Sequence, residues 1–157
     1  MPVPLGKFEA DLEASQAGVR EFSRQIASRG ATNIILGDTK EFDVKWTQGK
    51  EVFTCEIKED LLAEKTGNVA IEVSSRGKAS GLSTTTADYY VYLIMGHFYM
   101  IKTEKLHAEI IRYNFRLVKG GDDNTSELYL IPLIKFCALC KPIFTNIPPY
   151  LLSQFKL

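Results

Sequence analysis

The chain has 157 residues, 19 Lys and Arg against 19 Asp and Glu, and 45% hydrophobic residues. That length suits one domain, residues 1–157, able to bury a core without staples, and the ordinary apolar fraction excludes a disordered chain. Zero net charge gives no global signal of a polyanionic partner, no apolar run approaches the roughly 20 residues of a membrane span, and three cysteines (Cys55, Cys137, Cys140) form no disulfide framework.

In chain order, residues 7–29 are expected to be helical, because Phe8, Leu12, Val19, Phe22 and Ile26 recur at three-, four- and seven-residue steps and Gly30 follows as a terminator. TNIIL reads as a strand, and FDVKWTQGKEVFTCEIKED as two strands folded back on each other. NVAIEV is a further strand, SSRGKASGLSTTT a polar loop, and DYYVYLIM the most apolar strand of all, joined to HFYMI by a Met-Gly turn. TEKLHAEIIRY is expected to be a helix with Thr103 at its N-cap and a Leu106/Ile110 spine. FRLV and ELYLIPL flank KGGDDNTS as a second hairpin. Residues 142–157, with three of the six prolines, read as an irregular arm. The order predicts an α+β fold with a mixed sheet: an N-terminal helix, then a central sheet flanked by helices.

The first hairpin carries the chemistry. Side chains alternate along a strand, so Phe42, Val44 and Trp46 share one face while Asp43 and Lys45 take the other. Phe53, Cys55 and Ile57 likewise oppose Thr54, Glu56 and Lys58. A Gln48-Gly49 turn would pair Thr47 with Lys50 and Asp43 with Thr54, leaving Glu56 as the diagonal neighbour of Asp43, roughly 7 Å away at Cβ. Two carboxylates so placed repel each other, and both can reach one divalent ion, which oxygen ligands hold at about 2.1 Å. Such an ion activates water and stabilises phosphoryl charge, with the Lys58 ammonium one step away on the same face.

Asp43, twelve intervening residues and Glu56-Ile57-Lys58 resemble the signature of the PD-(D/E)XK nuclease superfamily, which includes restriction endonucleases, archaeal Holliday-junction resolvases and phage nucleases. The resemblance covers residues ~8–101 as an order of elements. It implies a restriction-endonuclease-like core, and metal binding (Mg²⁺ or Mn²⁺) by Asp43, Glu56 and the Ile57 carbonyl, with Lys58 catalytic. Phe42 replaces the usual proline. Members often carry a further acid on the first helix; Glu9, Glu13 and Glu21 compete for that place, and Glu21, nearest the next strand, is preferred. The stretch GNVAIEVSSRGKASGLSTTTADYYVYLI is similar to phage-type members.

Glu72, sharing a strand face with Ala70, is a second candidate for the additional acid. Asp60 reads as a strand-end cap. The charge is uneven: residues 1–72 hold 9 Lys/Arg and 13 Asp/Glu, net −4, whereas residues 73–157 hold 10 and 6, net +4. The later half therefore offers phosphate contacts: Arg76, Lys78, Ser80 and Thr84 in the hydroxyl-rich loop, and Arg112 with Arg116, one helical turn apart if the helix persists. Cys137 and Cys140 lack the partners of a zinc site and read as core packing. His97 and His107 have no nucleophile partner, and no phosphate-cradling GxxxxGK[ST] or GxGxxG is present.

The reading is a metal-dependent endonuclease that hydrolyses phosphodiester bonds of DNA. The alternative is a non-catalytic nucleic-acid-binding or phage accessory protein on the same fold. No membrane association is expected. A two-fold dimer would suit a symmetric substrate. The opening MPVPLGKFEADLEASQ lacks the pattern of a secretory signal, so the cytoplasm is expected, the host's if the chain is viral.

Overall fold

The structure is a computed structural model that describes residues 7–37 and 41–142, with side chains from residue 16 to 141 apart from 38–40. Phe8 and Leu12, as side chains, and the arm beyond residue 142 lie outside what it describes. Helix α1 spans Lys7–Ala27, and Gly30, at φ 93°, lies in the turn that ends it. Strands β1 (Thr32–Leu36), β2 (Val44–Gln48) and β3 (Glu51–Glu59) follow, then the short helix α2 (Ala63–Thr66). Next come β4 (Asn68–Ser75), β5 (Lys78–Ala79), a 3-10 turn at Gly81–Ser83, β6 (Tyr89–Ile94) and β7 (His97–Lys102). Helix α3 (Thr103–Tyr113), β8 (Arg116–Gly120), β9 (Ser126–Pro132), α4 (Leu133–Leu139) and β10 (Lys141–Pro142) complete the described chain.

The protein is α+β. Six strands form a mixed sheet in the order β1-β2-β3-β6-β7-β10, in which β3 and β6 run parallel and the other pairs antiparallel. Four strands form a second, antiparallel sheet, β5-β4-β9-β8. This second sheet was not anticipated: NVAIEV joins β9, more than fifty residues downstream, rather than the first sheet.

The two faces of the mixed sheet bury different partners. On one, Val44, Trp46, Cys55, Ile57, Val91 and Phe98 pack against Phe22 and Ile26 of α1. Phe22 meets the Trp46 and Phe98 rings edge-on, at 5.8 and 5.5 Å between centroids. On the other, Tyr90, Tyr92, Ile94, Tyr99 and Ile101 pack against Val69, Ile71 and Ile131 of the second sheet, Leu106 and Ile110 of α3, and Phe136 of α4. Strand β6 is thus covered on both sides, which is why its sequence is a continuous apolar run rather than an alternation. Cys137 and Cys140 pack in this second core, as free thiols raised by burial, Cys137 to about 11.

Two local expectations are corrected. Thr103 is not an N-cap: it is the first residue of α3, nine-tenths buried, and its hydroxyl donates to the Ala87 carbonyl at 2.7 Å. The loop SSRGKAS is a tight hairpin closed by Arg76 and Gly77, both at positive φ (52° and 76°). Positive φ at both central residues matches the right-handed twist of the strands they join. Among the described residues no helix is long and apolar enough to cross a membrane.

Phe22 has no exposed surface and joins α1 to β2 and β7 through one ring. Phe22→Ala should cost about 3–5 kcal/mol of unfolding free energy in urea titration.

Candidate active site

The first hairpin turns at Gly49-Lys50, not Gln48-Gly49, with Gln48 paired to Glu51 and Val44 to Cys55. Gly49 takes φ 63° at the first turn position, where a type II′ turn needs glycine. The register differs from expectation by two residues, so every side chain keeps its face. Asp43 lies one step beyond the last rung and brackets Glu56. Its N–H donates to the Cys55 carbonyl (2.9 Å), and its carboxylate accepts the Ile57 N–H (2.7 Å). Glu56 is therefore the direct neighbour of Asp43 rather than a diagonal one.

Glu56 and Lys58 point away from α1, towards the side covered by the second sheet. There they sit beside Tyr90 and Tyr92, their partners across the parallel β3–β6 ladder. Tyr90 is 1% exposed and stacks on Tyr92 at 5.9 Å. Burial first, then the carboxylates of Glu56, Glu72 and Asp43, push the Tyr90 phenol far above its ordinary range, so it remains a neutral hydroxyl. Sequence reasoning missed Tyr90, because its place beside Glu56 depends on a parallel pairing between segments 34 residues apart.

Glu72 reaches the same region from the second sheet. Its two carboxylate oxygens accept the hydroxyls of Ser80 and Ser126, each at 3.0 Å. The register of β4 slips between Glu72 and Ser74, a bulge of the kind that re-aims a neighbouring side chain. Gly81 packs so close to the Glu72 backbone that a Cβ there would lie 2.3 Å from the Glu72 carbonyl oxygen. Lys58, Asp60, Leu61, Leu62, Glu72 and Tyr90 border a cleft of about 440 Å³ between the sheets.

The structure brings Asp43, Glu56, Lys58 and Glu72 towards this one face. It does not bring Glu21 there. Glu21 lies on the helix that covers the opposite face, and its carboxylate accepts from Arg24 at 2.6 Å and Gln25 at 2.7 Å, which holds it down to about 2. Asp60 is the expected cap: one carboxylate oxygen accepts the Leu62 N–H and the other the Ala70 N–H, both at 3.1 Å.

The proposed phosphate contacts are dispersed. Arg76 and Lys78 stand exposed on the β4–β5 hairpin, whose far end, Ser80–Gly81, reaches the cleft. Ser80 is engaged with Glu72, and Thr84 bonds the Gly81 carbonyl. Arg112 and Arg116 are not one helical turn apart: α3 stops at Tyr113, capped by Asn114 in the left-handed region, and Arg116 belongs to β8. Arg112 lies over the Tyr113 ring (5.1 Å) and 3.8 Å from Glu109. Arg116 pairs with Leu130, which pairs with Ala70, so it occupies the end of the second sheet away from the Arg76 hairpin.

The oxygen donors available, Asp43, Glu56 and a main-chain carbonyl, are those that hard cations such as Mg²⁺ or Mn²⁺ prefer. The carboxylates gathered around the Tyr90 hydroxyl concentrate negative charge that a cation would offset, so the residues fit such an ion. Among the described residues, no group of three or more His, Cys, Asp and Glu side chains is placed to hold one metal. To hold such an ion, Asp43 and Glu56 would need a main-chain or solvent oxygen to complete the ligand set.

Fold and site together define an α+β protein with an acidic cleft, bordered by one lysine, between a mixed and an antiparallel sheet. No family model matches the sequence, and no curated protein matches it. Among solved structures, the chain is similar to a bacterial homing endonuclease, I-Ssp6803I: 13% identity over 89% of this chain and 90% of that one, with a TM-score of 0.47.

Gly81 and Gly77 separate strain from contact, since both have positive φ (53° and 76°) but a Cβ added at Gly77 would meet no non-neighbouring atom within 4 Å. Gly77→Ala should cost about 1–2 kcal/mol from conformation alone. Gly81→Ala, which also strikes the Glu72 backbone, should cost at least ~1 kcal/mol more in the same urea titration.

Proposed function

We propose that the chain, residues 1–157, acts as a single nuclease domain that hydrolyses phosphodiester bonds of DNA with a divalent cation, Mg²⁺ or Mn²⁺. The observation that carries this reading is the bracketing of Glu56 by Asp43, with Lys58 two residues on along the same strand face. Asp43, Glu56 and the Ile57 carbonyl would hold the ion. When bound, it would lower the pKa of water and offset charge on the phosphoryl oxygens.

The remaining work falls to the chain's own side chains. The Asp43–Ile57 hydrogen bond orients the Asp43 carboxylate before substrate arrives, and the ladder places Glu56 beside it and next to Tyr90, so little reorganisation is needed at the moment of reaction. Among the described residues Lys58 forms no ion pair, so its ammonium is available to a phosphate oxygen. Water attacks phosphorus in line, one P–O bond breaks, and Lys58 offsets the negative charge that develops. Arg76 and Lys78 would grip the backbone beside the cleft, adding affinity without sequence information.

Lys58→Ala should remain folded and bind Mn²⁺ like wild type in calorimetry, while cleavage of labelled duplex falls ~10²-fold or more. Glu56→Gln should lose cation binding and cleavage together. Near wild-type cleavage by a folded Lys58→Ala would remove Glu56-Ile57-Lys58 from the chemistry. Replacing both Arg76 and Lys78 by Ala should flatten the log–log salt dependence of DNA binding by up to ~2, and an unchanged slope would take the hairpin out of the interface.

A further inference from the structure

Leu61 and Leu62 are 79% and 64% exposed, at the rim of the same cleft that Lys58 borders. A single exposed leucine needs no explanation. Two in succession, on a tip this firmly fastened, ask for one. Asp60 anchors the tip on both sides: its N–H donates to the Leu93 carbonyl (3.1 Å), and its carboxylate binds the N–H groups of Leu62 and Ala70. The Leu62 carbonyl accepts both the N–H (2.9 Å) and the hydroxyl (3.0 Å) of Thr66, and Ala63 is fully buried in the core. The backbone is thus pinned to both sheets while the two side chains stand in water. Among the described residues, the other large hydrophobics exposed by more than half, Ile35, Val52, Ile111 and Ile134, do not border this cleft.

We infer that Leu61 and Leu62 form a wedge that presses on the base pairs of duplex DNA beside the phosphate undergoing hydrolysis. The inference rests on the nuclease reading and adds to it the substrate class: a duplex opened at one base step. Lys58 and Leu61 are three residues apart at the end of a strand, within about 10 Å along the chain. A phosphate held at Lys58 therefore brings its flanking base pairs against the leucines. Branched aliphatic side chains are the type that enters between base steps, unstacks them and kinks the duplex. Rigidity is required of such a tip, because a mobile loop would yield before the stacked bases do.

The test uses the full chain with Mg²⁺ on a panel of duplexes, with cleavage positions first mapped for the wild type. Leu61→Ala/Leu62→Ala should lose ~10-fold or more in kcat/KM on paired duplex. A single mismatch at the step flanking the cut should restore most of that loss, because an unpaired step no longer needs opening. A merely structural role would not be rescued by a change in the DNA. Independently, 2-aminopurine at that step should brighten when the uncleaving Glu56→Gln protein, with both leucines intact, binds. Unchanged cleavage by the double variant, a loss that the mismatch does not rescue, or no change in 2-aminopurine emission would each overturn the wedge. So would a change in oligomeric state of the double variant in sedimentation, which would assign the leucines to a second copy of the chain. If the wild type cleaves nothing with Mg²⁺ or Mn²⁺, the nuclease reading itself fails, which is a distinct outcome.

Discussion

The parallel ladder between β3 and β6 is the joint on which the rest of the molecule depends. It fastens the N-terminal hairpin to the remainder of the mixed sheet, and it does so between segments that no local turn brings together. Strand β6 is buried on both faces, so its register against β3 is set by two cores at once. Tyr89, Val91 and Leu93 turn to the α1 side, and Tyr90, Tyr92 and Ile94 to the second sheet. A slip of one residue would reverse both sets and place tyrosine hydroxyls against Phe22. With that register held, Glu56 has one position, beside Tyr90.

The polar face of β3 follows from the same joint. The second sheet covers β6 and β7 but leaves a cleft beside β3, where Lys58, Glu72 and Tyr90 are neighbours around solvent-accessible space. Glu72 comes from a different sheet, steadied by two serines that are themselves 46 residues apart in sequence. The Tyr92 hydroxyl, bonded to the Ala70 carbonyl at 3.3 Å, ties the sheets together close by. A site assembled across two sheets is pre-organised by the core beneath it, which is the property that stabilising a charged transition state requires.

Much of this was legible in the sequence, and the parts that were not have physical reasons. Helices α1 and α3, the strands and both faces of the first hairpin follow from periodicity, because burial on one side imposes period 3.6 or 2 on the residues. The hairpin turn was misplaced by one residue because a two-residue shift of register preserves all faces, so only the φ of Gly49 distinguishes the alternatives. The second sheet, the role of Ser126 and the position of Tyr90 rest on long-range pairings that leave no local pattern. Arg112 and Arg116 looked like helical neighbours because nothing before Asn114 signals the left-handed residue that ends α3. Glu21 had the right residue type, but its helix covers the opposite face of the sheet, and Arg24 one turn on engages its carboxylate.

The central claim is that Asp43 and Glu56, on one face of β2–β3, jointly receive a divalent cation. Paramagnetic broadening of assigned backbone amide resonances on adding substoichiometric Mn²⁺ tests it most directly. The account predicts selective loss of the Asp43, Glu56 and Ile57 amides and of Tyr90 beside them, with residues 21–26 of α1, across the sheet, much less affected. Broadening centred elsewhere, or none at Mn²⁺ concentrations that support cleavage, would contradict it.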